Sequence, residues 1–504
     1  MTTSLEKPYS EIQKTFADTN VFITGATGFI GHVLVEKVLR SCPVNHVYLL
    51  MRPKKGKGPY TRLNAMFDGP LFSKLRSEQP NFIKRVSLIS GDCEQPNLGL
   101  SPSDEEFVVS NMNIIIHCAA TIYLNGSLKR TALINVRSTR DLLLIARRTH
   151  HLKSFVHVST AFANTNQPVS KEIIYDCHMP GETLIDMAES LSAELIDSIT
   201  KQCLKTWPNT YTFTKCIAEN LVKQYGQHLP ISIVRPSIVT FTKDEPITGW
   251  FTSVKSVPGL CTAIGIGAVR VLICDTDAPA VTVPADKVAN LIITAVWQGS
   301  KKSNEDSVIP IFNYVPNNLA PPLTFGQTIH AMVNITKTHK IYLEKQLWVP
   351  NVLCTKYKFI FTVFFYLYHY IPAAIIDMVL WITGHTFRVV PICSKAYRMM
   401  LDMSYFGTGH FKFDDRNLEA LISHQSAEDK VLFDIDISKI NWDKHMLSTV
   451  YGARQHIFNQ NGNTAAAIKR HRMITTAYYT FNGTLYAFLL YSLYFILNCV
   501  FKFT

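Results

Sequence analysis

The feature that most constrains this chain is Thr24-Gly25-Ala26-Thr27-Gly28-Phe29-Ile30-Gly31. It follows a short β-prone run, Asn20–Thr24, and opens an apolar helical pattern, Gly31–Arg40. Glycines between a strand and a helix permit a tight turn, close backbone approach to a pyrophosphate and close helix–strand contact. The helix N-terminus then presents free N–H groups and positive potential to phosphates. The spacing is G-x-x-G-x-x-G, so Gly25, Thr27, Gly28, Phe29, Ile30 and Gly31 are expected to line a dinucleotide.

The pattern continues downstream. His46–Met51, Arg85–Ile89, Asn113–His117, Ser154–Ser159 and Ile231–Val234 are short apolar runs that read as strands. Leu133–Thr149 and Thr212–Tyr225 read as helices between them. Alternation of this kind, sustained to about residue 300, predicts an α/β fold: a doubly wound parallel Rossmann-type sheet covered on both faces. Lys301–Ser307 reads as a linker and Pro316–Pro322 as a loop. A reductase domain is expected over 1–345, followed by a smaller helical C-terminal domain over 346–460.

Charged residues make up only 17% of the 504 residues, against a usual share of about 25%. Apolar segments account for the deficit. Phe359–Ile376 carries no formal charge and reads as a buried or membrane-surface helix, with a bilayer span as the alternative. Met473–Phe501 is also uncharged and follows Lys469, Arg470, His471 and Arg472. Cations stay on the cytoplasmic side, so 473–501 is expected to be a C-terminal transmembrane anchor with the catalytic part in the cytosol. The N-terminus lacks the apolar stretch of a secretory signal. The 11 cysteines include no C-x-x-C pair, which fits buried thiols in a reducing compartment. No metal site is expected. The net charge of +12 favours anionic partners such as phosphorylated cofactors, CoA or acidic lipid. Without zinc-finger spacing or an RNA-binding aromatic motif, nucleic acid is not expected.

The second strand ends in Met51-Arg52-Pro53-Lys54-Lys55. Folds specific for NAD place an acid there for the ribose 2′-hydroxyl; an Arg instead suits a 2′-phosphate, so NADPH is expected. Asp92, after the third strand, is a candidate acceptor for the adenine amino group or a turn-forming residue. Small Ala119 and Ala120, after the fourth strand, let the backbone lie against the cofactor. Tyr211 and Lys215 stand at i and i+4 on one helix face. A lysine cation near the phenol favours phenolate, which equips Tyr211 as a general acid toward a developing alkoxide. Lys215 is also expected on the nicotinamide ribose. Thr160, with Ser159 second, is expected to hydrogen-bond the substrate oxygen. Arg235-Pro236 is expected to shape the nicotinamide pocket, and Asn135 to hold a helix or a water.

These residues resemble the extended short-chain dehydrogenase/reductases, and within them the eukaryotic fatty acyl-CoA reductases. The resemblance rests on Thr24–Gly31, YLLMRPKKG at Tyr48–Gly56, GDCEQPNLGL at Gly91–Leu100, His117–Thr121, FVHVSTAFANT at Phe155–Thr165, Tyr211–Lys215 and Val234–Ser237. It extends after Cys354, through Ile371-Pro372-Ala373 and Asp434-Ile435-Asp436. Departures from the family pattern fall at Ser138, Gly409, Phe411 and His445. The resemblance implies NADPH-dependent reduction of a long-chain fatty acyl-CoA to a fatty alcohol through an enzyme-bound aldehyde, with release of CoA. It further implies contact with membrane lipid at the endoplasmic reticulum, peroxisome or lipid droplet; a homodimer is common for the fold. Two other readings share the glycine turn: a membrane-bound sterol or hydroxysteroid dehydrogenase, and a non-catalytic NADP-binding scaffold.

Overall fold

A computed structural model describes residues 9–54, 56–252, 257–302, 308–316 and 322–502. Lys55, most of the 301–307 stretch and most of the 316–322 loop lie outside the described residues, as do several side chains of the last helix. Contacts divide the chain into two compact units. The first comprises 1–252, 279–323 and 409–440; the second comprises 253–278, 324–408 and 441–504.

The first unit is built on a seven-stranded parallel sheet. Its strands are β1 (Asn20–Thr24), β2 (His46–Met51), β3 (Val86–Ser90), β4 (Ile114–His117), β5 (Ser154–Val158), β6 (Ile231–Pro236) and β7 (Ile311–Tyr314). The spatial order is β7-β6-β5-β4-β1-β2-β3. Order reverses between β1 and β4, which creates a crevice beyond the carboxyl ends of the strands. Because helices cover both faces, strand residues are apolar almost without alternation: every residue of Ile114–His117 and Ser154–Val158 is buried. Helix α1 (Phe29–Ser41) packs with helix Ala285–Ser300, whose residues are buried nearly throughout.

The helix expected at Leu133–Thr149 begins earlier, at Leu128. It contains a π-helical segment, Leu133–Arg137, before α2 (Ser138–Arg148). Helix α3 (Thr210–Tyr225) carries Tyr211 and Lys215 and is capped by Asn209, whose side chain accepts from the Thr212 N–H at 2.9 Å. The second unit is mainly helical. It pairs short strands Val271–Ile273 and Leu353–Thr355 and holds helices Phe325–Thr338, Val390–Thr408 and Trp442–His456. Lys358–Ile382 is the helix long and apolar enough to cross a membrane among the described residues. The chain closes with a 38-residue helix, Ala465–Lys502.

Candidate active site

The expected site residues that follow or end strands lie together at the carboxyl end of the sheet, because those strands run in the same direction, while Tyr211 and Lys215 come from α3. Gly25 follows β1, Arg52 β2, Asp92 β3, Ala119 and Ala120 β4, and Ser159 and Thr160 β5, while Pro236 ends β6. The glycine turn is tight. Gly25 has φ +75°, and a Cβ there would fall 2.6 Å from the Ala119 nitrogen. Gly31 lies so close to the Gly25 carbonyl and the Ala26 backbone that no side chain fits. Gly28 caps α1 without a side chain, leaving the first N–H groups free for an anion. Phe29 and Ile30 open that helix. The cradle is thus shaped by backbone, as a pyrophosphate site requires.

Arg52 donates from Nη1 to Asp92 at 2.9 Å, and the other Asp92 oxygen accepts from the Glu94 N–H at 3.0 Å. Asp92 therefore orients Arg52 and shapes its own turn. Sequence reasoning missed a second guanidinium. Arg62, on helix Pro59–Phe67, donates from Nη2 to the Thr27 hydroxyl at 2.9 Å and from Nη1 to the Arg52 carbonyl. Burial and the Arg52 charge both push Arg62 below its ordinary pKa. Two guanidiniums held together in this way suit a phosphate, which relieves their repulsion. Helical register after Pro59 was the only signal for Arg62, and the chain has 50 lysines and arginines.

At the other end of the site, the Tyr211 phenol lies near the Thr160 hydroxyl, which favours its phenolate. The Thr160 hydroxyl also accepts from the Phe162 N–H at 3.3 Å and lies 3.4 Å from the Pro236 carbonyl. The geometry thus brings Thr160, Tyr211 and Pro236 together. The Ser159 hydroxyl is buried and has no hydrogen-bond partner among the described residues. Lys215 is buried and donates from Nζ to the Val158 carbonyl at 2.7 Å. Burial pushes Lys215 down to about 8, against an opposing pull from Glu219. Burial also pushes the Tyr211 phenol up to about 12, and the Thr160 hydroxyl only partly offsets this. Tyr211 is therefore shifted upward, not lowered as expected from Lys215: desolvation of the phenolate is the largest cause.

Asn135 sits in the π-helical segment, where the widened turn points its amide at the loop after β4. Its Oδ1 accepts from the Thr121 N–H at 2.9 Å, and its Nδ2 donates to the Thr121 carbonyl at 3.2 Å and the Thr214 hydroxyl at 3.1 Å. It ties the Ala119–Thr121 loop to the helix bearing Tyr211. π-Bulges are frequent at functional sites. His117 adds a second tie. Thr139 spends its proton on the Asn135 carbonyl at 2.8 Å, so it accepts from His117 Nε2 at 3.1 Å. His117 Nδ1 then accepts from the Thr24 hydroxyl at 2.7 Å, and Thr24 accepts from the Ala119 N–H at 3.2 Å. Burial pushes this imidazole down to about 3, so it is a neutral strut.

Arg235 does not line a cofactor pocket as expected. It is fully buried and forms a bidentate pair with Glu219, at 2.8 and 2.6 Å. It also donates to the Lys171 and Ile173 carbonyls at 2.8 and 2.7 Å, and to Asn313 at 3.4 Å. All five N–H groups are used, which makes Arg235 a buried clamp between β6, α3 and the 171–173 loop.

A parallel sheet with a glycine turn at its first strand and a Tyr/Lys/Thr cluster beyond its fifth defines a nicotinamide-dependent reductase of the short-chain dehydrogenase/reductase class. Comparisons narrow the class. An NAD-binding family model described as "Male sterility protein" matches residues 23–292, and a second model of that description, Sterile, matches 368–460. The chain is 34% identical over 493 residues to fatty acyl-CoA reductase wat of Drosophila melanogaster, covering 98% of this chain and 94% of that protein. It is 33% identical over 461 residues to fatty acyl-CoA reductase 1 of Homo sapiens, covering 91% and 88%. The chain belongs to the fatty acyl-CoA reductase family. In fold it is similar to the reductase domain of a nonribosomal peptide synthetase from Mycobacterium tuberculosis, with TM-score 0.57, 16% identity and coverage of 88% and 95%. The terminal R domain of the myxalamid biosynthetic pathway gives TM-score 0.53 at 19% identity, covering 89% and 93%.

Proposed function

We propose that this protein reduces long-chain fatty acyl-CoA to fatty alcohol with two NADPH, releasing CoA through an enzyme-bound aldehyde. Family membership over nearly the whole chain carries the reading. The same coverage disfavours a sterol dehydrogenase, and the intact Tyr211/Lys215/Thr160 cluster disfavours a mere scaffold.

NADPH supplies a hydride in each of two rounds. The chain's own residues do the rest. The Gly25–Gly31 turn and the free N–H groups of α1 hold the pyrophosphate, while Arg52 and Arg62 clamp the 2′-phosphate. Asp92 keeps Arg52 in position. Ala119 and Ala120 leave room for the cofactor, and Lys215 holds the nicotinamide ribose. Thr160 and Tyr211 donate to the substrate carbonyl oxygen as negative charge develops on it. An oxyanion donor of this kind contributes ~10²–10³ in rate. The hemithioacetal oxyanion collapses to the aldehyde carbonyl as the C–S bond breaks, and CoA leaves as the thiolate, which takes its proton from solvent. In the second round the aldehyde oxygen occupies the same place and Tyr211 delivers its proton to the alkoxide. With its pKa held near 12 by burial, Tyr211 stays protonated between rounds and acts as the acid, with no phenolate needed beforehand.

Membrane lipid is the second partner in this reading. The uncharged 473–501 stretch, inside helix Ala465–Lys502, is the anchor, with the reductase part on the cytosolic side of endoplasmic reticulum, peroxisome or lipid droplet. The expected reductase domain over 1–345 and helical domain over 346–460 belong to the same proposal as functional parts, while by contacts 253–278 and 324–345 group with the helical unit and 409–440 with the reductase unit; a homodimer, which rests on the fold class alone, belongs to it too. The test is product analysis: membranes holding the full chain, palmitoyl-CoA and NADPH, with lipids read by gas chromatography–mass spectrometry. Fatty alcohol formed with NADPH is the expected product. Unreacted acyl-CoA across chain lengths, from a folded protein that binds NADPH, would overturn the proposal.

A further inference from the structure

The chain leaves the first unit at Leu323 and returns to it at Gly409. The return is fixed by backbone bonds. The Ser170 N–H donates to the Lys412 carbonyl at 2.9 Å, and the Asp414 N–H to the Ser170 carbonyl at 3.0 Å. Asn313 Nδ2 donates to the Asp414 carbonyl at 2.7 Å, and the Tyr314 hydroxyl to the Ile435 carbonyl at 2.9 Å. Residues 170, 313 and 314 before the excursion therefore share one side of any membrane with 412–435 after it. Within the excursion, Lys358–Ile382 is the helix with the length and hydropathy of a span. A single crossing there would separate those hydrogen-bonded partners by a hydrocarbon layer of ~30 Å. The helix runs unbroken through Lys358–Phe365, Tyr366–Tyr370 and Ile371–Ile382, so it does not dip in and turn back either.

One side of this helix is used by its own unit. Phe361 and Phe365 are fully buried in a cluster with Val271, Ile273 and Met400. Phe361 stacks on Tyr397 at 5.6 Å, and Thr362 hydrogen-bonds the Tyr397 hydroxyl at 3.0 Å. The Asp377 carboxylate accepts from the Val389 and Val390 N–H groups at 2.6 and 3.0 Å, at the start of the next helix. The other side is open: Phe359 is 79% exposed and Trp381 69%, with Leu367, Ile371, Ile375 and Met378 between them. The surrounding sequence carries Lys356, Lys358, Arg388, Lys395 and Arg398 against one carboxylate, Asp377. Aliphatic side chains, tyrosines and a tryptophan bordered by cations match a leaflet with anionic headgroups.

We propose that Lys358–Ile382 is an in-plane membrane helix: it lies in the cytoplasmic leaflet by its open side, stays packed on the protein by the other, and does not cross. This rests on the membrane reading above only in naming lipid as the occupant. It gives the protein a second attachment beside the tail and sets a lipid-wetted face on the helical unit, where a water-insoluble acyl chain is found.

The test uses the full chain. Photoreactive benzoylphenylalanine replaces Phe359, Ile375 or Trp381, and the protein is reconstituted in vesicles of phosphatidylcholine and phosphatidylserine. Separately, an Asn-X-Thr acceptor is placed in the 384–387 loop and the chain is inserted into microsomes. Lipid adducts at all three positions with an unmodified loop acceptor are expected. A glycosylated loop would overturn the proposal by showing a crossing, and adducts at background level would overturn it by showing no lipid contact. Neither arm reads turnover, so failure of the acyl-CoA reading leaves this result standing.

Discussion

At the scale of residues, the site combines a phenol that burial keeps protonated with a lysine that burial brings close to losing its proton. Tyr211→Phe removes the acid and is expected to lower kcat by about 10²–10⁴ while leaving NADPH affinity, read by fluorescence titration, unchanged. The Lys215 cation is present below about 8 and lost above it. If the cation holds the ribose, kcat/KM falls as pH rises through that value, whereas Tyr211, near 12, stays an acid across the range. A profile flat to pH 10 would remove Lys215 from that role. Arg52→Ala and Arg62→Ala each remove charge-assisted bonds of about 1.5–3 kcal/mol. Each should raise KM for NADPH by roughly tenfold or more and leave KM for NADH nearly unchanged. An Arg62→Ala protein with the parent's preference would return Arg62 to a purely structural place. One departure from the family also has a local account. The tip of the Phe411 ring lies where a Cβ on Gly409 would stand, so a larger residue there requires the ring to move, and the glycine and the phenylalanine fit as a pair.

At the scale of elements, two buried polar devices lock the site. Asn135 makes three hydrogen bonds from a π-helical turn, and Arg235 makes five. Glu219→Leu strands the Arg235 guanidinium without its counter-charge. It should cost about 3–5 kcal/mol, and the double change with Arg235→Met should recover much of the loss; urea denaturation of the parent and both variants checks this. Such devices explain what could be read from sequence. Six of the seven strands were legible because a sheet covered on both faces demands continuous apolar runs. Strand β7 was not: it has four residues, follows Pro310 and contains Asn313, whose buried amide serves Arg235. Arg235 itself looked like a pocket residue because its position after a strand is clear in sequence and its partner Glu219, on α3, is not. The glycine turn and the Tyr211/Lys215 spacing were legible because backbone geometry and helical register dictate them. The meeting of Arg62 with Thr27 depends on how a helix packs beside the turn, which no local pattern encodes.

At the scale of the whole molecule, the proposed membrane attachment has two parts beside the cofactor site: the long final helix and the apolar side of Lys358–Ile382. Deleting 473–501 should turn a protein released only by detergent into one released by alkaline carbonate, since an in-plane helix holds less tightly than a span. Retention after carbonate would show that 358–382 crosses after all. The most direct test of the central claim follows the hydride. Full-length protein in vesicles is given palmitoyl-CoA and NADPH carrying deuterium at the transferred position, beside the Tyr211→Phe variant, and C1 of the alcohol is read by mass spectrometry. The account predicts two deuterium atoms at C1 and a collapse of product in the variant. Alcohol without deuterium, or a variant as active as the parent, would contradict it.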